Sequence, residues 1–344
     1  MENKFTPNGD AQSVTLQEDT LRQAKSHFSK LGLMFILGTL LVYAVQFAAS
    51  GIATAINPEL LNSMGSTLLI TMIPMYAVAL PLMMLLIRRL PAVPIGKKRI
   101  TVGQWIIAAI ICYGGMYVGN LLGIITTQIV GMLKGSPVSN AMLEVATSSQ
   151  LWINFILMVL CAPVFEELIF RKLLIDRTVK YGEGLAVLFS GLMFGLFHGN
   201  INQFSYAFIL GLFFGFIYVK TGNVLYPIFL HMFINFFGSV LGVLVMNFID
   251  YNSLMEAVSD PGLMTAYMAD HLPQLMIYGV YTLLIFGMAV AGIILFLVKM
   301  KKIKLLPGEV TIPKKKRFST TVLNVGMGAY FLFWIAIILI QLFS

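Results

Sequence analysis

The sequence predicts an all-α, polytopic transmembrane helical bundle of about eight core helices plus one C-terminal accessory helix, and three observations point there. Apolar residues make up 58% of the 344-residue chain against 11% charged, and the mean hydropathy is +0.86, more apolar surface than one water-soluble core could hide. Runs long enough to cross a hydrocarbon layer, about 20 residues each, recur along the chain. The basic residues fall between those runs in an alternating pattern.

Taken in order, the predicted spans are 31–55, 66–88, 104–130, 151–174, 184–199, 204–219, 225–249, 275–298 and 320–343. Two of them, 184–199 and 204–219, are short. The polar turn Gly199-Asn200-Ile201-Asn202-Gln203 separates them, so they read as a tight helical hairpin. Residues 1–30 form a polar tail in which Thr15-Leu16-Gln17-Glu18 is placed to cap a juxtamembrane helix, and the tail lacks the apolar core of a removable signal peptide. Residues 31–298 form the membrane domain. A basic linker, 299–319, with Pro307-Gly308 and Lys314-Lys315-Lys316-Arg317, sets the last helix, 320–344, apart.

Lys and Arg in short loops stay on the cytoplasmic side, and an N-in, C-out assignment puts 22 of the 23 basic residues there, leaving only Lys134 outside. The 250–274 loop carries four acids and no Lys or Arg, as an outer loop would. The expected location is therefore the bacterial cytoplasmic membrane. The net charge of +8 is spread over membrane-proximal loops and not gathered on one face, which argues against nucleic acid and for anionic lipid headgroups as partners. Cys112 and Cys161 both lie inside predicted spans, so no disulfide framework is expected.

An ionisable group inside hydrocarbon costs about 2.5–3.5 kcal/mol on insertion scales, so each one is a functional candidate. Only Glu166 and Glu167 among the acids, and His198 and His231 among the histidines, lie well inside spans. Glu167 and Arg171 are four apart and share a face where they can pair. Glu166, rotated by about 100°, has no base at i±3 or i±4 and is free to face a cavity. Phe194 and His198 share a face of the 184–199 helix, and His231 and Asn235 share one of 225–249. The bland alternatives are a buried ion-pair network for Glu167 and Arg171, an interfacial histidine for His198, and an interhelical hydrogen bond for Asn235. At about 1.5 Å per residue, Glu166 and His231 lie at similar depths, while His198 lies deeper. Its helix must tilt or start below the surface.

A carboxylate, two imidazoles and an amide around a water-accessible cavity suffice to hydrolyse an amide bond. In one reading Glu166 is the general base toward water, His198 positions that water, and His231 with Asn235 stabilises the oxyanion. In the other, Glu166, His198 and His231 bind Zn²⁺. The donor set tilts the expectation towards a divalent ion, although His-Glu-x-x-His is absent.

The ordered set Glu166-Glu167-x-x-x-Arg171, Phe194-x-x-x-His198 and His231-x-x-x-Asn235, on three helices, resembles the CPBP family of CAAX-prenyl-protease and bacteriocin-processing (Abi-type) intramembrane proteases. The resemblance covers residues 166–235. It implies an eight-helix core, a site reached from the cytoplasmic leaflet, and endoproteolysis of a membrane-associated peptide or protein. It assigns Glu166 as the catalytic carboxylate, with Glu167 in the catalytic set, His198 as its partner, His231 and Asn235 as an oxyanion or metal-facing pair, and Arg171 and Phe194 as supports. A noncatalytic scaffold or immunity protein of the same fold is the main rival. A transporter relaying protons through Glu166 and the histidines is the second.

Overall fold

A computed structural model describes residues 8–343, with side chains from Glu18 onward except Ala141 and Asn252. No strand occurs among the described residues. The order is α1 (Asn8–Ile56), α2 (Met64–Arg88), α3 (Val102–Lys134), α4 (Ala141–Ser148), α5 (Leu151–Tyr181), α6 (Glu183–Phe197), α7 (Ile201–Thr221), α8 (Leu225–Phe248), α9 (Tyr251–Val258), α10 (Pro261–Asp270), α11 (Leu272–Lys302), α12 (Lys314–Thr321) and α13 (Val325–Phe343).

Eight of these helices are long and apolar enough to cross a membrane, and α6 is not, so the nine expected spans become eight plus one short helix. At 15 residues α6 reaches roughly 22 Å, short of a 30 Å hydrocarbon core. Its hairpin partner α7 is longer than expected, 21 residues, because the turn tightens: Asn200 caps α7 by accepting from the Gln203 amide at 2.8 Å. Gly199, at φ +65°, reverses the chain against the ring of Trp334. Helix α1 is continuous from Asn8, so the polar tail and the first span are one helix. The expected Thr15–Glu18 cap lies outside the residues with described side chains.

Four π-helical stretches interrupt the spans among the described residues: Met75–Ala79, Phe155–Cys161, Leu168–Leu173 and Phe236–Leu241. Pro74 and Pro163 sit beside two of them, and a missing proline N–H is a common cause of such local unwinding. The last three lie on α5 and α8, the helices that carry the acids and His231.

The core is built around α6. It pairs with α7, which packs against α3, and α3 against α11. On the other side α13 packs on α1 and touches α6. The Tyr330 hydroxyl donates to the Met193 carbonyl at 2.8 Å, and the Trp334 and Phe197 rings meet at 5.2 Å. The helix set apart in the sequence by the basic linker thus closes the same core as the others. The linker is tied down too: the amides of Leu306 and Val310 donate to the Glu183 carboxylate at 2.8 Å and the Lys180 carbonyl at 2.9 Å. Cys112 and Cys161 are both free, as their positions require.

Candidate active site

The site assembles on α5, α6 and α8. Glu167 and Arg171 are fully buried on α5, and Arg171 Nε lies 2.8 Å from Glu167 Oε2 at ion-pair distance, without hydrogen-bonding alignment. The i,i+4 pair read from the sequence forms, across the start of the π-helical stretch. Two buried charges need more than each other. Arg171 Nη1 donates to Ser190 Oγ at 3.4 Å, and Ser190 in turn donates to the Phe170 carbonyl at 2.9 Å. Arg171 Nη2 meets no oxygen. The guanidinium instead stands 4.3 Å from the Phe194 centroid and 5.5 Å from that of Phe214, so aromatic faces receive the rest of its charge.

The second Glu167 oxygen, Oε1, accepts from His231 Nδ1 at 2.9 Å. A carboxylate only accepts, so this contact places the proton on Nδ1 and turns Nε2 away from Glu167. Nε2 lies 3.8 Å from Glu166 Oε2. Glu166 is the one acid of the pair that is partly open, at 19% side-chain exposure against 0% for Glu167. The two adjacent acids thus have different surroundings, Glu167 beside Arg171 and His231, and Glu166 at the more exposed edge.

The partner of Glu166 differs from the expectation. No hydrogen bond or ion pair joins it to His198 among the described residues, and its neighbour is His231. His198 Nδ1 donates to its own helix, at the Phe194 carbonyl 2.8 Å away, leaving Nε2 open. The Phe194 ring contacts both imidazoles, with centroids 4.8 Å from His198 and 5.8 Å from His231, both edge-on. His198 is therefore drawn to the site through Phe194: it caps the short helix α6, whose shortness sets its depth. That residue carries a double role the sequence hinted at only as spacing.

Asn235 makes the interhelical bond that was its bland alternative, donating from Nδ2 to the Met158 carbonyl at 2.7 Å. Nδ2 has a second hydrogen, and Asn235 also lines a cavity of about 230 Å³ with Asn120, Asn140, Asn202, Gln203 and Tyr206. This cavity lies toward the Lys134 end of α3, the end opposite most of the basic residues, whereas the family resemblance implies approach from the basic side. Sequence reading missed its polar lining, as well as Ser190, Phe214 and Met158, because ordinary core residues and a backbone carbonyl leave no signal.

Zinc needs three donors at about 2 Å from one point. Among the described residues no three of His, Cys, Asp and Glu converge in that way. The expected Glu166–His198–His231 set is therefore not gathered around one point in this arrangement.

Residues 148–237 match the family model described as type II CAAX prenyl endopeptidase Rce1-like. The chain is 28% identical over 138 residues to YdiL of Bacillus subtilis, a candidate membrane peptidase, covering 40% of this chain and 55% of that protein. It is 28% identical over 131 residues to the membrane-embedded CAAX protease MroQ of Staphylococcus aureus, covering 36% and 52%. It is 32% identical over 98 residues to the human CAAX prenyl protease 2, covering 22% and 30%. The chain thus spans about half the length of the bacterial relatives it matches and less of the human one. No solved structure matches it. The matched segment of this multi-pass membrane protein contains all three motifs and the whole buried network, and these matches support its likeness to the CPBP family of CAAX proteases.

Proposed function

We propose that the protein is an intramembrane endopeptidase that hydrolyses a peptide bond of a membrane-associated peptide or protein. The observation that carries this reading is the buried chain Arg171–Glu167–His231, which ends at His231 Nε2, 3.8 Å from the open carboxylate of Glu166. A merely structural ion pair would stop at Glu167. Here an oriented imidazole and a second carboxylate extend it to a polar edge, the arrangement by which a buried acid orients a histidine for proton transfer.

In the proposed reaction Glu166 takes a proton from a water molecule as that water attacks the scissile carbonyl. His198 Nε2, left with its lone pair because Nδ1 donates to Phe194, accepts the other hydrogen of the water and orients it. The oxyanion receives the second Asn235 N–H. Glu166 then returns its proton to the departing amine, while His231, fixed by Glu167, shares the charge through Nε2. Each residue is a proposed participant and none requires a metal.

The test is proteolysis by purified full-length protein in lipid vesicles, with substrates found by comparing membrane-associated peptide termini in cells that carry wild-type protein or Glu166→Gln. Loss of specific cleavage in a folded Glu166→Gln protein is expected, and cleavage that survives both Glu166→Gln and His231→Ala would sink the proposal. Strong chelation is expected to leave activity intact. Activity abolished by chelation and restored by Zn²⁺ would replace the glutamate–water reading with the metal one. A scaffold role predicts partner retention with no cleavage by wild-type protein, and a transporter predicts pH-coupled flux in the same vesicles.

A further inference from the structure

Away from that site, the basic end of the bundle holds a concavity of about 720 Å³ walled by four separate parts of the chain. Arg22, His27 and Lys30 come from α1, Arg89 from the end of α2, Lys180 with Tyr181 from the end of α5, and Val310 from the linker. Four permanent cations face one space that no Asp or Glu lines. None of the four makes an ion pair among the described residues, although Glu18 and Asp19 stand one turn before Arg22 on the same helix. Asp176, the nearest acid on α5, is taken by Lys172 and by the Tyr218 hydroxyl. Like charges gathered around a concavity repel, and a bound anion relieves that repulsion.

The walls are fixed independently of any ligand. His27 Nε2 bonds to the Arg177 carbonyl at 2.7 Å, Arg177 Nε donates to the Ile87 carbonyl at 2.7 Å, and the Lys180 carbonyl accepts from Val310 at 2.9 Å. These bonds join α1, α2, α5 and the linker, so the cations stand on a rigid frame; among the described residues no carboxylate pairs with them, and Lys180 Nζ lies 5.1 Å from the Tyr181 ring centroid. Rigid, convergent Arg and Lys side chains at the end of membrane helices suit oxygen-rich, multiply charged groups, phosphates above all. The volume exceeds what a chloride would fill.

We propose that Arg22, Lys30, Arg89 and Lys180 form a binding site for a phosphate-bearing anion, with the chemistry that anionic phospholipid headgroups and soluble polyphosphates share. The site is separate from the Glu166 centre, and its test needs no proteolysis.

The experiment compares the full-length chain with Arg22→Gln/Arg89→Gln/Lys180→Gln and with a control triple, Lys299→Gln/Lys301→Gln/Lys315→Gln, of equal charge outside the concavity. Native mass spectrometry reads phosphatidylglycerol retained from mixed phosphatidylcholine vesicles, and thermal unfolding in detergent reads stabilisation by tripolyphosphate. At roughly fivefold per basic residue near a membrane surface, the pocket triple is expected to bind about a hundredfold more weakly, with the control little changed. Lipid retention that follows this pattern supports a headgroup source, and tripolyphosphate stabilisation that follows it supports a soluble one. Equal loss in both triples, or neither ligand bound by wild-type protein, overturns the proposal. Unfolding temperatures without ligand confirm that the variants fold, and the single Lys180→Gln, expected to weaken binding about fivefold, repeats the test with least disturbance.

Discussion

Two adjacent glutamates do opposite work because one residue of helix turns them about 100° apart. Glu167 is fully buried between Arg171 and His231, and Glu166 is the member left partly open. Their substitutions therefore predict different failures. Glu166→Gln keeps shape and removes the proposed base, so turnover should fall by at least 10²-fold with no change in unfolding temperature. Glu167→Gln leaves Arg171 as an uncompensated buried charge, a loss of roughly 3–5 kcal/mol, so its first symptom should be a large drop in thermal stability in detergent. Equal stability of the two variants would refute this division. Asn235→Ala should combine both effects: it strips the Met158 carbonyl of its donor, at about 1–3 kcal/mol for a buried group left unpaired, and removes the proposed oxyanion contact.

At the scale of elements, the site depends on helices that are short, interrupted or unusually close. Helix α6 ends early enough to hold His198 inside the bundle, and the hairpin with α7 is tight because glycines face each other. A Cβ on Gly211 would fall 2.8 Å from the Gly191 Cα, and one on Gly191 would fall 3.0 Å from the Leu212 nitrogen. Gly191 and Gly211 are thus packing residues that let α6 and α7 approach closely. A Cβ on Gly238, by contrast, would meet nothing within 4 Å. Gly211→Val is expected to prise α6 from α7, lowering both unfolding temperature and cleavage, while Gly238→Val should change stability little. Thermal scans of the two variants side by side check this. The π-helical stretches flanking the site on α5 and α8 meet where Asn235 reaches Met158, in keeping with their frequency at functional sites.

For the whole molecule, the final helix is the part whose importance the sequence least suggested. It lies outside the segment matched to the family, yet Gly326 crosses α1 so closely that a Cβ would stand 1.8 Å from the Ser29 carbonyl oxygen. From that crossing the helix carries Tyr330 and Trp334 to α6 and to the turn after His198. Gly326→Leu should therefore unseat α13 and reduce cleavage through His198, more than tenfold, although the change lies far from Glu166 in the chain. Limited proteolysis of the 303–324 linker would report the release. Unchanged linker protection together with full activity would show that α13 is dispensable.

The membrane class, the approximate spans and the ionisable residues of the site were legible in the sequence, because apolar runs and intramembrane charges have few other physical explanations. Spacing of four identified the Glu167–Arg171 pair and the shared faces of Phe194/His198 and His231/Asn235. What spacing within one helix cannot specify is which face meets which across helices. Only the packed structure decided that Glu167 and Glu166 both address His231, that Phe194 contacts both imidazoles, and that Asn235 binds a backbone carbonyl. The same holds for α13: its sequence made it a span, and its burial against α1 and α6 made it part of the core.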